Sequence, residues 1–294
     1  MRGIQMAILA FDIGGTSVKY GVWTDESITV QSFATPDSWA EMKETMVEIK
    51  ESFAVDYDLE GVAISAPGTV DKRLGQIVGV SAIEYIHFFP IFDELEYALG
   101  LPVTIENDAN CAALAEYWRG VGKDADSMLL VVIGTGIGGA LIHQGKLYRG
   151  ANLSAGEFGM MLVGQAGDNW SQSGSPVNLV KRYANRTGET VEATEVYERA
   201  EQGDAVAIEE VAYQFESLAR GLYNLTFVFD PEIIAIGGGF SNKPDLIDSL
   251  YDTMYDLVDR YNLLFPYRPN LQTCHFKNDA NLIGAVYHFK QEQK

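Results

Sequence analysis

Apolar residues along this chain come in short dense runs broken by glycine-bearing turns, with longer stretches of helical spacing between them. Residues 8–12, Ile-Leu-Ala-Phe-Asp, predict a strand, Ile13-Gly14-Gly15-Thr16 a turn and residues 18–23 a returning strand; a third strand is expected over 28–33. Met42, Met46, Ile49 and Phe53 recur at helical spacing behind a candidate cap at Ser38. Short buried strands are expected at 61–65, ending in Ala66-Pro67-Gly68, and at 103–106, entering Asn107-Asp108 and a helix from 109 to about 119. The opening pattern then recurs. Residues 128–133 form an apolar run, Gly134-Thr135-Gly136-Ile137-Gly138-Gly139 a glycine turn, and 140–143 a returning strand. Helices are predicted over 177–186, 205–229, 243–260 and 280–290, and strands over 232–236 and 271–276. Strands alternate with helices throughout, so the class is α/β.

A length of 294 residues allows one large domain or two of ordinary size, and 47% hydrophobic with 21% charged residues is globular composition. No apolar run is long enough for a transmembrane helix. The first six residues lead straight into a strand and lack the apolar core and cleavage site of a secretory leader. Cys111 and Cys274 are far apart and form no metal-ligand or disulfide pattern, which predicts a reduced, cytoplasmic protein. The formal net charge is −20 and no basic stripe is present. Nucleic acid and anionic membranes are therefore not expected as partners. Binding of ATP is still compatible with that charge if backbone amides and a divalent cation hold the phosphates. His87, His143, His275 and His288 are scattered, so no zinc site is expected. Tyr85, Phe88 and Phe89 are expected in the core.

Several turns could carry chemistry. Gly14, Gly15 and Thr16 at a strand end let backbone amides and a hydroxyl approach phosphate oxygens, and Asp12 could hold Mg2+ or its water. A tight hairpin with a capping aspartate would look the same. Gly134-x-Gly136-x-x-Gly139 matches the dinucleotide fingerprint, with Glu157 downstream, but that fingerprint must open a helix. Residues 140–145 are β-like instead, which argues against a nicotinamide dehydrogenase. A P-loop signature is also missing. Asp108 at a helix start is placed to act as a general base, with Asn107 beside it for a substrate hydroxyl; a plain helix cap is the alternative. Glu157 in Gly156-Glu157-Phe158-Gly159 could bind a hydroxyl, and Gly237-Gly238-Gly239 could face a nucleotide or simply turn the chain.

Taken in order, Asp12-Ile13-Gly14-Gly15-Thr16-Ser17-Val18-Lys19, Ala66-Pro67-Gly68, Glu106-Asn107-Asp108-Ala109-Asn110, Gly134 to Gly139, Gly156-Glu157-Phe158-Gly159 and Gly237-Gly238-Gly239 resemble the ROK family (repressor, open reading frame, kinase) over essentially the whole chain. The resemblance implies an actin-like ATPase (ribonuclease H-like) fold of two α/β lobes with an interdomain active-site cleft, and a C-terminal helix packed on the N-terminal lobe. With a boundary at Gly120-Val121-Gly122, residues 1–119 and 280–294 would form the sugar and phosphate lobe and 120–279 the nucleotide lobe. Asp12, Gly14, Gly15, Thr16 and Lys19 would face the phosphates and Mg2+. Gly134, Thr135 and Gly136 would form a second phosphate loop, with Gly238 and Gly239 near adenosine. Gly68, Asn107, Asp108 and Glu157 would hold the sugar, with Asp108 as the base.

One departure matters. Most members follow the Gly-Glu-x-Gly motif with a histidine and a zinc-binding cysteine cluster; here Met160 stands at the histidine position and residues 169–176 contain no cysteine. Zinc is not expected, and the region around the sugar C1 becomes less polar, leaving room for a substituent as in zinc-less members similar to β-glucoside kinases. The resemblance thus implies an ATP- and Mg2+-dependent kinase acting on the 6-hydroxyl of a hexose, glucose or a β-glucoside, with N-acetylmannosamine kinase as the alternative. A homodimer is compatible with it. A sugar-responsive repressor would carry a helix-turn-helix domain before Asp12, where this sequence has 11 residues. A regulator without a DNA-binding domain, or an inactive sugar-binding protein, is a more distant reading that the intact Asp108 and phosphate loops oppose.

Overall fold

The computed structural model describes residues 5–25, 27–164 and 167–293. The first four residues, read above against a leader, lie outside it. By its own contacts the chain divides into two units, Met1–Gly120 with Gly150–Ser154 and Asn278–Lys294, and Val121–Arg149 with Ala155–Lys277. The first unit runs β1 (Gln5–Ile13), β2 (Ser17–Thr24), β3 (Ser27–Ala34), α1 (Trp39–Ala54), β4 (Tyr57–Ala66), β5 (Thr69–Asp71), β6 (Gln76–Val78), α2 (Ile91–Leu99), β7 (Val103–Asn107) and α3 (Asp108–Arg119). The second runs β8 (Ser127–Ile133), β9 (Ile137–His143), β10 (Lys146–Leu147), α4 (Trp170–Gly174), α5 (Pro176–Thr187), α6 (Ala193–Glu201), α7 (Ala205–Phe229), β11 (Ile233–Gly237), α8 (Leu246–Tyr261) and β12 (Leu271–Thr273). The last helix, α9 (Ala280–Glu292), belongs to the first unit.

Each unit is built on a five-stranded mixed sheet, in the order β3-β2-β1-β4-β7 in one and β10-β9-β8-β11-β12 in the other. The pairings also match in direction: two antiparallel, then two parallel. The recurrence of strand, glycine turn and strand in the sequence is thus a repeat of whole sheets. Side chains alternate across each strand, and the first sheet sorts them sharply. Leu9, Phe11, Val62, Ile64, Val103 and Ile105 enter the core that Met42 and Met46 of α1 and Leu95 of α2 share. The alternate positions Ile8, Ala10, Gly61 and Ala63 are buried on the other face. There α9 packs on β4 and α3.

That second face is close-packed. A Cβ on Gly61 would lie 2.3 Å from Phe289 Cζ, and one on Gly284 only 1.7 Å from the Cys111 carbonyl oxygen. Glycine at these two positions lets α9 lie directly on β4 and α3. In the second unit, Leu129, Val131, Ile234 and Ile236 meet Leu218 and Leu222 of α7, Leu250 and Met254 of α8, and the fully buried Trp170.

Some expected boundaries shift for local reasons. The helix expected from 243 begins at Leu246, because Pro244 and the left-handed Asp245 (φ 55°) hold back its first turn. Tyr85 and Phe89 pack on the core as expected, but Phe88 does not. Its backbone is left-handed (φ 62°) and its amide is held 2.9 Å from the Ile77 carbonyl, which leaves the ring 66% exposed.

Candidate active site

Three parallel strands of the first unit, β1, β4 and β7, end side by side. Asp12 stands beside Ser65, Ser65 beside Glu106, and Ala66 beside Asn107. Ligands of α/β sheets bind beyond the carboxyl ends of such strands, where strand order reverses. Here β1 is the reversal point, with β2 on one side and β4 on the other.

Asp12 is tightly held. Its Oδ1 accepts from Ser65 Oγ at 2.8 Å and from Asn281 Nδ2 of α9 at 3.1 Å; no described residue donates to Oδ2. Burial pushes its carboxyl above the usual range, and the hydrogen bonds from Ser65 and Asn281 and the charge of Lys19 oppose that shift without cancelling it. Lys19, its cross-strand neighbour, gives its ammonium to the Asn278 carbonyl at 2.7 Å. The Gly14-Gly15-Thr16 turn closes with Gly14 N–H donating to the Ser17 carbonyl at 3.1 Å, and Thr35 pins it through Gly14 O and Thr16 O. Gly15 and Thr16 are exposed, and their amides donate to no described residue.

Asn107 caps α3. Its side-chain oxygen accepts from Asn110 N–H at 3.2 Å, while its amide donates to the Gly68 carbonyl and to Asp108 Oδ1, both at 2.9 Å. The plain-cap reading weighed for Asp108 therefore falls to its neighbour. Asp108 is the first residue of α3, and its Oδ1 also accepts from Ala109 N–H at 2.8 Å. Gly68 has φ +97°, and a Cβ there would press on His87 and Ile77 at 2.8 and 2.9 Å. Beneath them Glu106 is buried. Its Oε1 accepts from Asn107 N–H (2.9 Å) and Asn110 Nδ2 (2.8 Å), and its Oε2 lies 3.8 Å from His288 Nε2 of α9.

In the second unit β8 and β11 are parallel neighbours, with Gly237 beside Val132. The Gly134-Thr135-Gly136 turn and Gly238-Gly239 thus project from adjacent strand ends. Gly134 N–H donates to the Gly136 carbonyl at 2.9 Å. Ser171 Oγ accepts from Ile137 N–H at 2.9 Å and supports the turn. The amides of Thr135 and Gly136 donate to no described residue. The turn leads into β9, so the hairpin anticipated in place of a dinucleotide-binding helix is present. Gly238 has φ +83° and lies against the Ile133 backbone, where a Cβ would come within 2.3 Å of its oxygen; Gly239 faces open space. Glu157 is exposed, before a single 3-10 turn at Phe158–Met160. The flanking Gly156 and Gly159 lie on the β9 backbone, 2.6 and 2.1 Å from Gly139 O and Ile137 O as measured from an added Cβ. Residues 169–175, which contain no cysteine, form a capping box between Asn169 and Gln172 and the core helix α4.

Sequence reasoning missed Ser65, Glu106, Asn281 and Ser171. Ser65 had a signal, a lone hydroxyl at the end of an apolar strand. Asn281 had none, since 269 residues separate it from its partner.

These groups suit a metal-nucleotide. A turn with two unused, exposed amides is an anion cradle, and a carboxylate with one oxygen fixed and the other without a donor suits Mg2+, which takes one or two carboxylates alongside phosphate.

The ROK family model matches residues 8–292. A β-glucoside kinase of Listeria monocytogenes is 37% identical over 297 residues, covering 98% of this chain and 99% of the relative. Among solved structures, a ROK family protein of Streptococcus pneumoniae in complex with sucrose superposes with a TM-score of 0.88 at 35% identity, over 98% of this chain and 99% of that one. A ROK family glucokinase of Streptomyces griseus, in complex with glucose and AMPPNP, reaches 0.75 at 30% identity, over 97% and 99%. With its motifs and both sheets accounted for, the chain belongs to the ROK family and has the two-lobed, actin-like ATPase fold.

Proposed function

We infer that this protein is an ATP-dependent sugar kinase that transfers the γ-phosphoryl group to the 6-hydroxyl of a hexose, glucose or a β-glucoside. The observation that carries the reading is the Asn107–Asp108 pair. One amide, donating to both Gly68 O and Asp108 Oδ1, sets a carboxylate at a helix start beyond the ends of three parallel strands. A helix N-terminus favours the anionic form, so Asp108 is ready to take the proton of an attacking hydroxyl. A base of ordinary strength suffices, because phosphoryl transfer depends chiefly on positioning and charge stabilisation. Asn107, Gly68 and Glu157 hold sugar hydroxyls. The unused amides of Gly15, Thr16, Thr135 and Gly136 donate to phosphate oxygens, and Gly238 and Gly239 leave a flat surface for adenosine. Mg2+, bound through Asp12 directly or by water, supplies charge neutralisation on the phosphates. Use of ATP sets the reaction in the cytoplasm.

Preference for a glucoside is supported by the relatives' names and by the residues after Glu157. Met160 and Leu162 are 69% and 77% exposed, so the segment that follows the motif offers apolar surface where a histidine would be polar. The test is ADP release measured over glucose, cellobiose, N-acetylmannosamine and N-acetylglucosamine with a no-sugar control. Glucose or cellobiose should give the highest kcat/KM, and Asp108→Asn should lower kcat by at least ~100-fold with sugar affinity and Tm nearly unchanged. Near-normal kcat in that variant would remove Asp108 as the base. Preference for N-acetylmannosamine would select the alternative substrate, and no turnover on any sugar would end the kinase reading.

A further inference from the structure

Residues 278–281, where the chain re-enters the first unit, touch the phosphate-facing end of its sheet twice: the Asn278 carbonyl receives Lys19 Nζ, and Asn281 Nδ2 donates to Asp12 Oδ1. Asp12 and Lys19 are a cross-strand pair at the β1–β2 turn, so the start of α9 is fastened to both partners. We propose that Asn281, with Ser65, is a positioning residue that fixes the Asp12 carboxylate for the metal-nucleotide. This rests on the kinase reading above. The terminal torsion of an aspartate is broad, and a carboxylate without fixed donors samples many orientations. Two donors from different elements, one on β4 and one on α9, converge here on the same oxygen. They select one rotation and leave Oδ2 without a protein donor among the described residues, the arrangement a cation-facing carboxylate needs. Each bond is to a charged acceptor, which makes it stronger than a neutral one. Asn281 is also held by packing, because α9 lies on α3 through Gly284, so the donor is pre-set before any ligand arrives.

The test is calorimetric titration of the full chain with ATP, with and without Mg2+, for wild type, Asn281→Ala and Ser65→Ala, alongside Tm and sugar affinity. The expected result for Asn281→Ala is a loss of about 10–100-fold in ATP affinity in the presence of Mg2+, the range found when outer-shell partners of a metal site are removed. Affinity for Mg2+-free ATP and for sugar should change little. Asn281→Asp, which sets an acceptor where the donor was, should lose more. Should Asn281→Ala not fold, Ser65→Ala, nearly the same shape, is expected to give the same Mg2+-selective loss. Wild-type affinity in the folded Ala variants would overturn the assignment, as would a uniform loss of sugar, ATP and thermal stability together, which marks a merely structural contact. Wild type that binds ATP with no response to Mg2+, or not at all, would sink the kinase reading itself, and this assignment with it.

Discussion

Asp12 is half-buried at a strand end with donors on one oxygen, and its raised pKa states what the fold does to it: desolvation disfavours the ionised form. The stability contribution follows in sign. It is fully present below the ordinary aspartate pKa of the unfolded chain and is lost as pH rises through the higher folded value; above that the folded state bears the whole penalty. Asp12→Asn keeps an oxygen for Ser65 and Asn281 to bond while removing the charge. Ligand-free Asp12→Asn should therefore have a higher Tm than wild type at neutral pH, with the gap closing as pH falls. Its kcat/KM should drop by at least ~100-fold, the scale for losing a group that stabilises developing charge. Equal melting curves across the pH range would mean that burial costs this carboxylate nothing. Asp108 differs. Its helix-start position was legible from Glu106-Asn107-Asp108 following a short apolar run, but which of Asn107 and Asp108 caps the helix was not, because both residue types serve equally well. Only the path of the backbone after Ala66 and Gly68 brings a carbonyl to Asn107 Nδ2 and decides it.

At the scale of elements, the longer strands and the longest helix were the most legible; β5, β6 and β10, two or three residues each, went unread, and the strand expected over 271–276 ends at Thr273. The apolar run of α7 ends where expected, at Phe229, and its cap is Asp204. The helices that went unread, α2, α4 and α6, are 9, 5 and 9 residues long, too short for a periodic signal to stand out. Contact between α9 and α3 was beyond the sequence too. A glycine within a helix normally costs stability, so Gly284 reads locally as a defect. Gly284→Ala sets two magnitudes against each other: about 1 kcal/mol gained in helix propensity, against about 1–3 kcal/mol for forcing a methyl into a filled interface. The clash here is with backbone, the Cys111 carbonyl on α3, which cannot swing away as a side chain can. The variant should be net destabilised by about 1–2 kcal/mol in urea unfolding, and its Mg2+-dependent ATP affinity should fall, because α9 carries Asn281. A neutral or stabilising outcome would mean that the helices separate without cost.

On the scale of the whole molecule, two units repeat one sheet plan, and the core of the second closes around Trp170. Trp170 is fully buried, donates from Nε1 to the Ser217 carbonyl at 3.0 Å, and lies against Gly174 and Gly221. A large side chain anchored on α7 thus supports the segment from 169 to 175. Treatment with a zinc-selective chelator should leave Tm unchanged, whereas a marked drop would reveal a structural metal.

The sequence by itself determined the alternation of strands and helices, the two glycine turns and the residue types at the ends of the strands, since these rest on spacing and local backbone freedom. Family membership was likewise legible, carried by the order of its motifs. What only the tertiary structure decided is which groups meet: Asn281 with Asp12, His288 with Glu106, and Gly284 with the Cys111 backbone. Those contacts join the last helix to residues far earlier in the chain, around a sheet that must first assemble, and no periodicity within a strand or helix encodes so distant a partner.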